Sequence, residues 1–233
     1  MNVEVRRSLV ALSADALMLQ WARQEQAPAG SVIVVDNEIA ARTHGGSHWV
    51  RPDSLTIAVL ARPRTLEPDV AELAWLAGGI GVAAAFDELT NERHVCSWPD
   101  RVESSLATGD DQRPEILMTA SSLLGPGRIE HVVVVARITG ASQLPDDSLV
   151  PVTIEHLRLA TDLLDEPDRV VSLYRDRFVA LGTRMAVALL PSGTIQGRAC
   201  DVGIDGSLII ESVTGMRERV TVAACRDATR IRD

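Results

Sequence analysis

The chain of 233 residues contains no lysine: its 23 basic residues are all arginines. That absence excludes Schiff-base chemistry and any mechanism that needs an ammonium group as a point charge. A general exchange of lysine for arginine on the surface explains it equally well. Aromatic residues are scarce, at 3%, so the core must be built from Val, Leu, Ile and Ala, with the four tryptophans at a few packing or site positions. Cysteine occurs only as Cys96, Cys200 and Cys225, without C-x-x-C spacing. Neither a disulfide framework nor a zinc ribbon is indicated, and three reduced thiols fit a cytosol. Long apolar runs are missing too. The longest, residues 73–86, is short and glycine-rich for a bilayer span, and residues 1–7 lack the apolar segment of a signal peptide. A soluble, cytoplasmic protein with no membrane partner is expected. The net charge of −9 argues against nucleic-acid binding, which needs clustered cations.

What is present is ordinary globular material, 46% hydrophobic and 24% charged, enough for one large and one small domain. Residues 3–6 read as a short strand and 14–23 as a helix with Leu17, Met18 and Trp21 on its apolar face. Apolar strands follow at 31–35 and 54–62. Between them lies a polar segment, 36–52, rich in glycine and histidine, and a loop of that length between buried strands is usually functional or mobile. Residues 68–89 form the clearest helix, with acidic residues in its first turns and small residues in the middle. Strands are expected at 93–97, 115–121 and 130–138, the last so apolar that both faces must be covered. Helices are expected at 152–164 and 167–181. From Gly182 short strands recur, with turn signals at 191–193, 205–206 and 214–215. The order predicts an α+β fold: a mixed sheet flanked by helices over residues 1–181, and a small β-barrel over 182–233 packed directly against it.

Residues 36–49 read D-N-E-I-A-A-R-T-H-G-G-S-H-W. This resembles, without a gap, the ligand-binding loop of biotin-protein ligases, E-x-Q-x-A-G-R-G-R-x-G-R-x-W. Arg42 matches the first loop arginine, Gly46 the last glycine and Trp49 the tryptophan, while His44 replaces the second arginine. S-W-P-D at 97–100 is similar to the family's K-W-P-N-D, again at a strand end. R-P-E-I-L at 113–117 falls where the family has K-L-A-G-I-L, and residues 132–139 fall where it has a strand ending G-x-G-x-N. G-R-A at 197–199 and G-I-D-G-S-L at 203–208 resemble elements of its small C-terminal domain. The resemblance covers nearly the whole chain. It implies a biotin-protein-ligase-like catalytic domain followed by an SH3-like domain, and a reaction in which biotin is adenylated with ATP and magnesium, then passed to a lysine of a biotin carboxyl-carrier protein. A homodimer is compatible with it.

The departures from the family pattern bear on the chemistry. Holding a carboxylate and a triphosphate together requires cations and N–H donors aimed at both. Ser97 replaces one motif lysine and Gln112 the other, Glu115 stands at a glycine position, Arg137 at another, and Thr139 replaces the asparagine. Loss of one charge donor costs about 10²–10³ in rate, so loss of two is incompatible with ordinary turnover. Arg137 has two readings: a bidentate anion clamp with Arg42, or an ion pair with Glu115 that fills the vacated pocket. His44 and His48 do not make a metal site, because a glycine loop enforces no geometry and no third ligand is identifiable.

The candidate ligand-binding residues are Arg42, His44, Gly45, Gly46, Trp49, Trp98, Asp100, Glu115 and Arg137, with no catalytic residue assigned and no metal expected. The segment 36–49 is expected to be mobile, with Trp49 as its fixed end. Three functions are compatible with these residues: a diverged, ligase-inactive protein that binds a small ligand or partner protein, a biotin- or lipoate-type ligase that has moved its cations to arginines such as Arg42, Arg51 and Arg137, and a structural subunit that dimerises through its sheet edges.

Overall fold

The structure, a computed structural model, describes residues 4–49, 51, 53–106, 114–144 and 146–231. Its larger sheet has the order β1-β2-β3-β7-β6-β5-β4. The strands are β1 (Val5–Ser8), β2 (Val32–Val35), β3 (Ser54–Ala61), β4 (His94–Ser97), β5 (Arg101–Ser104), β6 (Ile116–Gly125) and β7 (Arg128–Thr139). β1 runs parallel to β2 and every other pairing is antiparallel. Residue 3, where the sequence starts its first strand, lies outside the described residues.

Both faces of the central strands are covered, as the apolar run of β7 requires. Ile33, Val35, Ala58, Leu60, Val133 and Val135 face helix α1 (Ala14–Gln24) through Met18 and Trp21. Their alternates Val32, Val34, Ile57, Val59, Val134 and Ala136 join the core beneath α2 (Leu73–Thr90), α3 (Asp146–Thr161) and α4 (Pro167–Arg175). Ser13 caps α1 by accepting from the Ala16 N–H at 3.3 Å.

Four elements differ from the sequence reading. A 3-10 turn at Pro68–Val70 precedes α2, which begins only at Leu73. α3 starts six residues before the expected Val152 and runs through Pro151. α4 ends at Arg175 rather than 181, because the chain leaves the helix to lie beside β4: the Cys96 N–H donates to the Arg177 carbonyl and the Val179 N–H to that of Cys96. β5 was not expected, since only Val102 among its residues is buried and no alternating pattern marks it.

The second sheet, β11-β10-β9-β8-β12, is antiparallel and built from β8 (Arg184–Leu189), β9 (Thr194–Val202), β10 (Leu208–Glu211), β11 (Arg217–Val220) and β12 (Cys225–Arg230). Among the described residues β11 and β12 form no ladder with each other. The sheet is joined firmly to the rest. The indole N–H of Trp98 donates to the Gly206 carbonyl at 3.0 Å, and Glu72 accepts from the N–H groups of Val222 and Ala223 at 2.7 and 2.9 Å. An acidic residue expected to favour the start of α2 thus also ties the two sheets together.

α2 is longer than the apolar stretch read from the sequence, and its 18 residues meet the length and composition of a membrane span. Within the fold 67% of that window is buried, so its apolarity is used in packing. α3 approaches α2 closely at Gly81, where a Cβ would sit 2.9 Å from the His156 carbonyl oxygen and 3.0 Å from Leu157 Cα. Backbone atoms cannot turn aside as a side chain does, so Gly81→Val is expected to destabilise the protein by roughly 1–3 kcal/mol through overpacking. A thermal melt unchanged from the wild type would refute this account of the α2–α3 contact.

Candidate functional site

The segment after β2 is not the loosely anchored loop its glycines suggest. It folds back as a tight hairpin: Arg42 bridges His48, the Thr43 N–H donates to Ser47, the Gly46 N–H to Thr43, and the Trp49 N–H to the Ala41 carbonyl at 2.8 Å. Gly46 takes the left-handed backbone, φ +79°, that closes the turn. Gly45 packs against the second sheet, where a Cβ would meet the Arg226 carbonyl at 2.5 Å. Trp49 is buried with Ala41 and Leu117, and so does fix the end of the segment.

This packing buries the side chain of His44. Its Nδ1 lies 2.6 Å from the Asp100 carboxylate, with only 5% and 7% of the two side chains exposed. Asp100 follows β4 in the turn after Trp98, and its backbone carbonyl accepts from the Met118 N–H. The site therefore spans both sheets: burial, followed by the negative charge of Asp100, pushes the Cys225 thiol of β12 up to about 12. Burial, with Cys96 and Asp100 adding to it, holds the Tyr174 phenol well above its ordinary value.

Beside His44 is a cavity of about 410 Å³, lined by Asp15 of α1 and its cap Ser13, by Ala40, Arg42 and Thr43 of the hairpin side, by Trp75 of α2, by Thr119 to Ser121 of β6, and by Arg137. It forms where β6 has an uncovered edge, because β5 pairs only with Ile116 and Leu117. The edge of the His44 ring meets Trp75 at a centroid distance of 5.9 Å.

Arg137 is one of the largest fully buried side chains. Its partner is Glu38, not Glu115: Nε donates to Oε2 at 2.6 Å and Nη2 to Oε1 at 3.3 Å, while Nη1 donates to Thr119 at 2.7 Å. Glu38 also accepts from the Ala14 N–H at 2.6 Å and from the Thr56 hydroxyl at 2.9 Å. The start of a helix, a strand hydroxyl and a guanidinium thus all converge on one carboxylate. Glu115 lies just before β6 rather than on it; its backbone pairs with Thr139 and its side chain reaches Arg51 at 3.4 Å near the surface. The proposed Glu115–Arg137 compensation is therefore absent. Arg137 is not a free anion clamp either, since its fork is already filled.

Of the sequence candidates, His44 and Arg137 line the cavity, with Arg42 at its exposed rim donating to the Gly46 carbonyl at 2.7 Å. Asp100 stands behind His44. Gly45, Gly46 and Trp49 shape the hairpin, Trp98 serves the junction between the sheets, and Glu115 stands apart. Gln112 and Arg113 lie outside the described residues. Sequence reasoning missed Glu38, Asp15, Trp75 and Thr119. Only Glu38 carried a readable signal: it occupies the position of the glutamine in the loop pattern.

Removing one member of a buried ion pair leaves an unsolvated charge and costs about 3–5 kcal/mol. We therefore expect Glu38→Gln and Arg137→Gly each to lower stability on that scale, and the double variant to lose clearly less than the sum. Simple additivity in a denaturation cycle would show that the two side chains are not coupled.

No family model matches the chain, and no curated protein matches it. Solved structures do. A biotin protein ligase from Aquifex aeolicus in complex with biotin and ATP superposes with a TM-score of 0.73 at 15% identity, over 98% of this chain and 99% of that one. A biotin acetyl coenzyme A carboxylase synthetase from Helicobacter pylori with bound biotinylated ATP gives 0.64 at 16%, over 94% and 100%. A biotin protein ligase-like protein of unknown function from Silicibacter sp. gives 0.69 at 12%, over 95% of each chain. From one sheet to the other, this chain has the fold of the biotin protein ligases.

Proposed function

We propose that the protein is a diverged relative of the biotin ligases that keeps their scaffold to hold a small ligand, without ordinary ligase turnover. In this reading residues 1–181 form the ligase-like domain, and the antiparallel sheet beyond it an SH3-like domain. The observation that carries the proposal is the Glu38–Arg137 pair, in which the arginine of the cavity wall is already held by a buried carboxylate. A ligase must hold the carboxylate of one substrate and the phosphates of another, and its cations act only if they are free to meet those charges. Here Arg137 is committed to Glu38, Arg51 faces Glu115, and Ser97 stands where the resembled motif has lysine.

The competing reading, a working biotin- or lipoate-type ligase with relocated arginines, would need Arg42, Arg51 and Arg137 as a cationic set. The three do not form one, because only Arg42 and Arg137 line the cavity and Arg42 is exposed at its rim. What remains suits ligand binding: a volume within the range of small-molecule sites, an aromatic wall at Trp75, and a few convergent polar groups.

Purified protein incubated with labelled biotin, ATP, magnesium and a biotin carboxyl-carrier domain is expected to transfer no label above the level of a protein-free control. Stoichiometric labelling of the carrier within minutes would overturn the proposal.

A further inference from the structure

A second cavity, of about 330 Å³, lies at the far end of β3, where residues 60–64 leave the sheet and meet the last turn of α3. β3 touches Glu38 through Thr56 and reaches this cavity at Ala61, so about 17 Å of strand separates it from the one beside His44. Its lining carries three guanidinium groups, those of Arg62, Arg64 and Arg158, against two carboxylates, Asp162 and Asp165. Arginine stays charged in proteins, so with both carboxylates ionised the lining still has an excess of cation.

The three cations are used differently. Arg64 donates through its backbone N–H and its Nε to Asp165, which also accepts from Thr65. Arg62 donates from Nε and Nη2 to the Ala27 carbonyl at 3.1 and 2.8 Å, a neutral partner that leaves its charge unopposed. Arg158, half-buried, has no hydrogen-bond or ion-pair partner among the described residues, and Asp162 one turn further on makes no pair with it. Its Nε is buried without a partner, whereas the two Nη groups, equally unpaired, reach accessible surface. The guanidinium lies against Gly30, itself part of the cavity wall: a Cβ there would sit 2.9 Å from Nε and 3.2 Å from Nη2. With φ at +82°, a conformation that favours glycine, the chain keeps that place free of a side chain. A partly desolvated cation with nothing to offset its charge is costly, and its open N–H fork matches the geometry of an oxyanion.

We propose that this cavity is a second binding site, for a small molecule bearing a carboxylate or a phosphate, met by the Nη groups of Arg158 with Arg62 adding its charge to the same wall. Leu60, Ala61 and Pro63 offer an apolar surface to the rest of that molecule. The site stands apart from the cavity beside His44 and does not depend on the function proposed for it.

Phenyl phosphate, benzoate and the uncharged benzyl alcohol, titrated at constant ionic strength and followed by amide shifts in nitrogen-15 NMR spectra, test the proposal. At least one of the two anions is expected to saturate below about 10 mM, at least about tenfold more tightly than benzyl alcohol, and to move the amides of Gly30, Arg64 and Thr161. Which anion leads separates a phosphate from a carboxylate ligand. Arg158→Met is expected to weaken that binding at least about tenfold, the scale of a charge-assisted hydrogen bond. Arg169→Met, which removes an exposed arginine paired with Glu166 outside the cavity, is expected to leave it unchanged. Benzyl alcohol binding as tightly as the better anion, the same affinity in Arg158→Met as in the wild type, equal losses in the two variants, shifts confined to residues 40–44 and 119–121, or no saturation by either anion would each overturn it. Should Arg158→Met fail to fold, the wild-type ligand order and shift map decide.

Discussion

One buried carboxylate organises the face of this molecule that carries the cavity beside His44. Glu38 accepts hydrogen bonds from the first turn of α1, from Thr56 on β3 and from Arg137 on β7, so the chain after β2, a helix and two strands all meet at it. A carboxylate is tolerated at such depth only because each of its lone pairs is met and a full positive charge lies beside it. The consequence is mutual. Arg137 occupies the interior beside Glu38, and with Nε and Nη2 on that carboxylate and Nη1 on Thr119 its guanidinium has little left to offer a ligand.

A second polar pair, His44 with Asp100, couples this region to the C-terminal sheet. Asp100 is placed by the turn that also sends Trp98 to the Gly206 carbonyl, and Gly45 lies against the Arg226 backbone. The hairpin, the end of β4 and strand β12 thus hold one another. The segment expected to be mobile folds as a hairpin whose inward contacts are made by His44, Gly45 and Trp49.

Much of the architecture was legible because the central strands are continuous apolar runs and the long helix is uninterrupted. The places where reading failed share a cause: they depend on partners distant in sequence. α4 stops early because β4 offers its backbone, and β5 exists because β4 and β6 flank it, facts no local pattern contains. The 36–49 motif led to Arg42 and His44, two residues of the cavity lining. The chemistry of that lining was not legible. Arg137 was recognised as anomalous but assigned to Glu115, its near neighbour across the ladder, whereas the true partner lies 99 residues away in the chain on the segment after β2. Charge compensation is decided by side-chain direction as well as strand adjacency, and direction is invisible until the sheet is assembled.

The most direct test of this account is the guanidinium proton of Arg137 Nε, followed by solvent exchange in nitrogen-15 NMR spectra of the wild-type protein. A buried Nε–H donating to Glu38 is expected to exchange orders of magnitude more slowly than those of the exposed arginines, and to lose that protection in Glu38→Gln. An Arg137 Nε–H that exchanges as fast as the surface arginines would contradict the central claim that this cation is committed to Glu38 and withheld from the ligand.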